Sequence, residues 1–470
     1  MTPKFRALLA ALIVVVVASA GAFYVGYRSH TVGASNDGFA FNVATTGDVG
    51  SLLHGSNESD QLLGTALQKL ESNYYRPVNP QQPITGEVKA LTEFLHDKKI
   101  AHPTLPSESA TGNASDDSAR LGSILSYARS HYAEKLGSNA GTDLTETALR
   151  GVMNSVNDPY TVYLSPREMQ GLSESLSGGN FGGIGVYIYQ LKSGEVVLQP
   201  IEGLPAARAG MKPGEVVETV NGKSIKGVSL DTVERLIRGE AGSDAVITTH
   251  MYKQTAKHRY SIVREIIHVP TVRAKMEDGY DYIRLSDFGE TSADEMRKAL
   301  LDGKAKGAKG YILDLRDNGG GLVDAAVKIS SYFIPQGVIV STIDRAGNKE
   351  SQEALGDAIT GLQPLVVLVN KYTASASEIT SGALQDYHLA KLIGTKTFGK
   401  GVVQSIYPMP DDGALKITTA SYVTPLGRDI QHKGIMPDIL VDQNIDPALI
   451  DTPADKQLAA AKAQLHHSLR

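Results

Sequence analysis

Apolar positions change their period several times along the chain, and each change marks a boundary. No charged residue occurs from Ala7 to Tyr27, and a run of that length can span a bilayer. Residues 29–56 are rich in Gly, Ser, Asn and Thr without a period, as a flexible tether would be. Helical spacing begins near Asp60, where Leu62, Leu63, Ala66, Leu67 and Leu70 share one face of a helix reaching Tyr75. The segment 77–141 is then broken by Pro77, Pro80, Pro83, Pro103 and Pro106 and by a Ser/Asn/Asp patch over 107–118. It still allows helices near Glu87 to Asp97 and Ser118 to Leu136. A further helix is expected from Asp143 to Val156, stopped by Asn157-Asp158-Pro159-Tyr160.

Alternation with a period of two takes over after residue 177, in short runs separated by glycine turns. A strand and turn are expected over Ile201 to Ala209, a strand over Val216 to Val220, and a turn at Asn221-Gly222. Leu230, Val233 and Ile237 line one side of a helix. From Ile266 strands and helices alternate: a strand Tyr280 to Leu285, an amphipathic helix Ser292 to Lys306, and a strand Gly310 to Arg316. The run Pro364 to Asn370 is apolar without alternation, which suits a strand buried on both faces. A helix follows from Ser375, then a hairpin of Ser405 to Tyr407 with Leu415 to Val423 closed at Asp411-Asp412-Gly413. An alanine-rich helix over Asp455 to Leu469 is placed on the core or on another subunit. The pattern predicts a multidomain α/β and α+β chain with units at 57–176, 177–264, 265–450 and 451–470.

Composition narrows the function classes. The chain has 470 residues, 41% hydrophobic content and a formal net charge of -5 with mixed signs. No basic stripe suits nucleic acid, and no Cys/His cluster suits zinc, so no nucleic acid, metal or cofactor is expected. The absence of cysteine excludes disulfides and thiol catalysis. Lys4 and Arg6 ahead of the apolar run keep the N-terminus cytoplasmic and export the rest. Ala18-Ser19-Ala20 resembles a signal-peptidase site. A retained anchor at 7–27 and an extracytoplasmic location, periplasmic or cell-surface, are the expectation.

The chemistry concentrates between Pro364 and Gln404. A serine at the strand-to-helix junction Thr373-Ala374-Ser375-Ala376-Ser377-Glu378 holds its hydroxyl at a helix N-terminus, where free N–H groups stabilise an oxyanion. Ser375-x-x-Glu378 is also a capping box, and that reading needs no chemistry. Lys400 stands between Gly399 and Gly401, with no acid from Thr395 to Tyr407. A lysine acting as base must be neutral, which burial away from acids promotes. Gln404 shares its face at i+4. Asp317-Asn318-Gly319-Gly320-Gly321 follows the strand before it, and three glycines let backbone approach a substrate. It is not a phosphate loop, since neither G-x-x-x-x-G-K-[ST] nor G-x-G-x-x-G is present there.

The motifs T-A-S-A-S-E and F-G-K-G-x-x-Q at this spacing resemble those of the carboxyl-terminal processing peptidases, a serine protease family with a Ser/Lys dyad and an embedded PDZ domain. The likeness runs from about Leu144 to the end, while 77–141 looks like an insertion. It implies a crotonase-like protease core with Ser375 as nucleophile, Lys400 as base and Gln404 orienting it. It further implies an oxyanion hole from Ala376 with Gly319 or Gly320. In the PDZ-like span, Gly183, Ile184, Gly185 and Val186 would bind a tail carboxylate, with Val233 and Ile237 beside them. Arg238 matches a position implicated in coupling substrate binding to activity. The expected partners are protein or peptide substrates with free C-terminal tails and the membrane, with a homo-oligomer or adaptor allowed. Two rivals stand: a silent PDZ scaffold in which Ser375 only caps a helix, and a Ser-His-Asp hydrolase using His388 and Asp386, which lie several turns from Ser375.

Overall fold

The computed structural model describes residues 56–176, 181–191, 193–268, 270–361, 363–442 and 454–469. The expected anchor at 7–27 lies outside them; among the described residues no helix is long and apolar enough to cross a membrane. Helices α1 (Ser56–Asn73), α2 (Gln81–Asp97), α3 (Ala114–Leu136) and α4 (Ala140–Asn154) come first. They pack their leucine faces into one core, with Leu63, Leu91, Leu125 and Leu149 fully buried. The segment 77–141 supplies two of the four packing helices, at the places expected for them. Gly86 and Gly151 let α2 and α4 cross closely: a Cβ on Gly86 would stand 2.3 Å from the Gly151 carbonyl oxygen.

Strand β1 (Val162–Leu164) and helix α5 (Pro166–Leu176) lead to a second unit. Its strands are β2 (Phe181–Gly183), β3 (Val186–Gln190), β4 (Val196–Pro200), β5 (Glu215–Val220), β6 (Lys223–Ser224), β7 (Asp244–Met251), β8 (Lys257–Val263) and β9 (Glu265–Ile267), with helices α6 (Pro205–Arg208) and α7 (Leu230–Ile237). The order β3-β4-β5-β7-β8 forms one antiparallel sheet, β6 pairs β5, and β2 pairs β9. Asn221 and Gly222 both take positive φ, 51° and 76°, in the β5–β6 hairpin. The strand expected over 201–209 instead ends at Pro200. Pro205 pre-sets φ for a helical turn there, so α6 replaces it.

The third unit holds β10 (Val272–Glu277), β11 (Tyr280–Leu285), α8 (Ser292–Ala305), β12 (Tyr311–Asp314), α9 (Val323–Ser331), β13 (Val338–Asp344), β14 (Lys349–Glu353), β15 (Leu365–Val369), α10 (Ala376–Asp386), β16 (Ala390–Gly394), β17 (Val402–Pro408), β18 (Ala414–Val423), β19 (Ile439–Leu440) and α11 (Lys456–Ser468). Its main sheet runs β10-β11-β12-β15-β16-β19, parallel except for β10. β15 is covered on both faces: Leu365, Val367 and Val369 meet α8, α9 and α10, while Val366 and Leu368 meet α11. That is why its sequence shows no alternation. The C-terminal helix thus packs on its own core, through Leu458, Ala461 and Leu465. A second, antiparallel sheet runs β1-β18-β13-β14 with β17 on β18. Through Leu415 and Ile417, β18 also enters the core of the helical bundle.

Candidate active site

β15 ends at Val369, and the chain turns through Asn370 into α10. Ser375, the residue before that helix, is fully buried with φ 56° and ψ -118°, a conformation non-glycine residues avoid. The capping-box arrangement is present, yet its bonds are divided unevenly. The Glu378 N–H goes to the Ser375 carbonyl (2.8 Å) and the Ser375 N–H to Glu378 Oε2 (3.0 Å). The Ser375 hydroxyl keeps no hydrogen-bond partner among the described residues. A cap needs that bond, so its absence leaves Oγ available for chemistry. Ser377 is committed: its hydroxyl donates to the Asn318 carbonyl at 3.0 Å.

Glu378 does more than cap. Its buried carboxylate also accepts from Lys400 N (2.9 Å), Gly399 N (2.8 Å) and Thr397 Oγ1 (2.5 Å). One oxygen, Oε2, therefore fixes the backbone of both Ser375 and Lys400. The Tyr422 hydroxyl, on β18, lies 2.6 Å from the Lys400 carbonyl oxygen and 3.1 Å from that of Ser375. Two elements distant in sequence are thus tied at the same two points. Burial raises the Glu378 carboxyl above the usual range, and its four donors act against that rise.

Lys400 is fully buried, and its amine lies 4.6 Å from the ring centre of Tyr160, in the turn after α4. Burial, then the nearby Lys416, push its pKa down to about 7, while Asp158 and Glu378 pull the other way. Gln404 is buried on β17 and donates from Nε2 to Thr418 Oγ1 at 3.3 Å; its Oε1 accepts nothing. The expected hydrogen bond from Gln404 to the lysine amine is therefore not made here. Gln404 spends its donor on the neighbouring strand, next to a register shift between Val403 and Gln404.

The glycine loop is organised by Asn318, a residue the sequence reading passed over. Its Oδ1 accepts from Gly320 N (2.9 Å), its Nδ2 donates to Leu285 O (2.9 Å), and its carbonyl accepts from Ala374 N (3.1 Å). The Gly320 N–H is thereby spent, which removes Gly320 as an oxyanion donor. Gly320 has a different part: at φ 108° a Cβ would stand 2.8 Å from Ser375 Cβ and 2.9 Å from Ala376 N. The bare glycine leaves the space beside the serine open. Ala376 opens α10, so its N–H has no acceptor within the helix.

The other predicted residues scatter. Ile184, Val233 and Ile237 are buried in the core of the second unit, not along a groove. The helical spacing of Val233 and Ile237 signals packing, while half-buried Val186, Ile188 and Leu230 sit at the edge of that core. The carbonyls of Ile184 and Gly185 accept from Ala206 N (2.8 Å) and Ile201 N (3.0 Å), and Gly185 takes φ 72°. Gly183 pairs with Glu265 across β2 and β9. Arg238 meets Glu174 of α5 at 2.6 Å and Glu234 at 2.5 Å. These residues line a cavity of about 980 Å³ between α5 and α7. Asp386 pairs with Arg428 and accepts from Leu426 N, and His388 follows the far end of α10. That rules out the Ser-His-Asp arrangement with Ser375.

Comparison with known proteins matches residues 279–441 to peptidase family S41 and residues 196–249 to the PDZ domain. A carboxy-terminal-processing protease of Bartonella bacilliformis is 38% identical over 331 residues, 69% of this chain and 75% of that protein. A probable CtpA-like serine protease of Staphylococcus aureus is 36% identical over 325 residues, 69% of this chain and 64% of that one. The solved photosystem II D1 C-terminal processing protease aligns with a TM-score of 0.47 and 27% identity, covering 86% of this chain and 97% of its own.

Proposed function

From the premise that this chain belongs to peptidase family S41, and is a serine protease with a PDZ domain, we propose that it cuts polypeptides with Ser375 as nucleophile and Lys400 as general base. One observation carries this reading: a single carboxylate oxygen of Glu378 holds the backbone of both residues, with Ser375 Oγ unpartnered and Lys400 buried. Neutral Lys400 takes the hydroxyl proton as Ser375 Oγ bonds to the scissile carbonyl carbon. The oxyanion forms against the N–H groups of Ala376 and Gly319. Lys400 passes its proton to the departing amine, leaving an acyl-enzyme, and then takes a proton from the water that hydrolyses it. Gln404 Oε1, buried without a partner, is the acceptor open to the amine as it turns.

The substrates are exported proteins with a free, apolar C-terminal tail held on the PDZ domain, cut upstream of that tail. The exported location rests on the uncharged run Ala7 to Tyr27. The test is to incubate the protein with an unfolded, tailed substrate and weigh the products. Cleavage should disappear in Ser375→Ala and in Lys400→Arg, because guanidinium keeps its proton. Turnover by Lys400→Arg would assign the base elsewhere.

A further inference from the structure

We infer that Lys416 is a positioning residue for the reaction: a second buried amine, on the site-facing side of β18, whose positive charge adds to burial in keeping Lys400 unprotonated. The inference rests on the Ser375–Lys400 reading. Along β18 the side chains alternate between two environments. Leu415 and Ile417 enter the helical bundle. Thr418 bonds Gln404, and Tyr422 bonds the backbone of Ser375 and Lys400. Lys416 belongs to the second set by strand period, and it is only 4% exposed.

Register brings Lys416 beside the turn that meets the Lys400 amine. Lys416 stands opposite Val162 of β1 and Ile406 of β17. Tyr160, two residues before Val162, lies beneath the Lys400 amine at 4.6 Å. The turn is fixed to β18 by Thr418 N, which donates to Thr161 Oγ1 at 3.1 Å, and Thr161 in turn donates to Asp158 Oδ2 at 2.7 Å.

The charged neighbours divide unequally between the amines. The charges that act on Lys416 are Asp158 from the turn and Glu168 from α5; those that act on Lys400 are Lys416, Asp158 and Glu378 from α10, with the Tyr160 ring beside its amine. Burial lowers Lys416 to about 8 while Asp158 and Glu168 pull it up, and Lys400 falls to about 7. Two like charges so placed titrate as a pair. At neutral pH the retained proton sits on Lys416, and Lys400 is the amine that accepts one. An apolar side chain at 416 would fill the same space without biasing Lys400.

The test is the pH profile of kcat/KM in the full chain, with Lys416→Met and Lys416→Arg. Lys416→Met should move the acidic limb upward by roughly one pH unit, costing about tenfold below the limb and recovering at pH 9 or above. Lys416→Arg, which keeps the charge, should hold the limb where it is. An unmoved limb in Lys416→Met, or an equal loss at every pH in both variants, would overturn the inference by leaving Lys416 a packing role. Should Lys416→Met not fold, titration of ¹⁵N-labelled lysine amines in Ser375→Ala protein decides: Lys400 must lose its proton before Lys416, and the reverse order overturns the inference. Cleavage by Lys400→Ala would instead remove the dyad reading itself; an inactive Lys400→Ala with an unmoved Lys416→Met limb removes this inference alone.

Discussion

The serine–lysine site and the junction between the PDZ domain and α5 both depend on ionisable side chains, and they hold them in opposite ways. At the first, Ser375, Glu378, Lys400 and Gln404 are all fully buried, and Glu378 alone accepts four hydrogen bonds. At the second, Arg238, Glu174 and Glu234 are each about one-third exposed beside a cavity that they help to line. Buried groups interact strongly and break expensively, while exposed pairs are screened and contribute little. The serine–lysine site is therefore held by bonds that are costly to break. The ion pair that joins the PDZ domain to α5 is exposed enough to break and re-form at little cost.

The largest contrast is expected from Lys400→Met. Cleavage should fall by about 10⁴-fold or more, since the reacting residues act as a unit, while stability at neutral pH should rise. The sign follows from linkage. Lys400 has a folded pKa of about 7, against roughly 10.4 unfolded. The cost of its buried charge is full below pH 7, shrinks as pH rises from the folded toward the unfolded value, and is gone above it. Urea melts should show Lys400→Met more stable than the parent by up to about 4 kcal/mol at pH 6.5, the gap closing by pH 10.5. A parent as stable as the variant at pH 6.5 would show that the lysine bears no such cost.

Next comes Glu378→Ala, which leaves the N–H groups of Ser375, Gly399 and Lys400 and the Thr397 hydroxyl without their shared acceptor. Unfolding free energy should drop by about 3 kcal/mol, and cleavage by about 10²-fold through lost alignment. Full activity in a folded Glu378→Ala protein would show that the two backbones hold register without it.

The same contrast explains what the sequence revealed. Ser375, Lys400 and Gln404 fall in two short contiguous motifs, so local pattern is enough to single them out as candidates. The β15 run and the Asn221-Gly222 turn were legible for the same reason. Tyr160, Lys416 and Tyr422 reach the site only through the pairing of β1, β17 and β18, which no local period encodes. Lys416 did leave a trace, as the lone charge in the apolar run Ala414 to Ile417. In the PDZ domain the period misled: it located the inward faces of Val233 and Ile237, whereas a groove is built from what packing leaves over.

A tail-recognition effect of intermediate size should appear at the PDZ domain. Backbone N–H groups around Gly183 to Val186 would give a tail carboxylate charge-assisted bonds that an amide cannot replace. A substrate with a free apolar C-terminus should be cut about tenfold faster in kcat/KM than its amidated twin, or roughly 1.4 kcal/mol. Equal rates would separate the PDZ domain from substrate choice.

The smallest effect belongs to the ion pair between Arg238 and Glu174. The two approach to 2.6 Å with side chains 32% and 27% exposed, and Arg238 has a second acid in Glu234. A pair so exposed gains little, because water and salt screen it and two long side chains must be held in place. A double-mutant cycle with Arg238→Ala and Glu174→Ala should give a coupling of about 0.5 to 1 kcal/mol in unfolding free energy, falling further at 0.5 M salt. The remaining acid, Glu234, should keep Glu174→Ala close to the parent. Coupling above about 2 kcal/mol, insensitive to salt, would place this junction with the buried site instead of opposite it, and the PDZ domain would then be a fixed wall of the protease rather than a part able to move against α5.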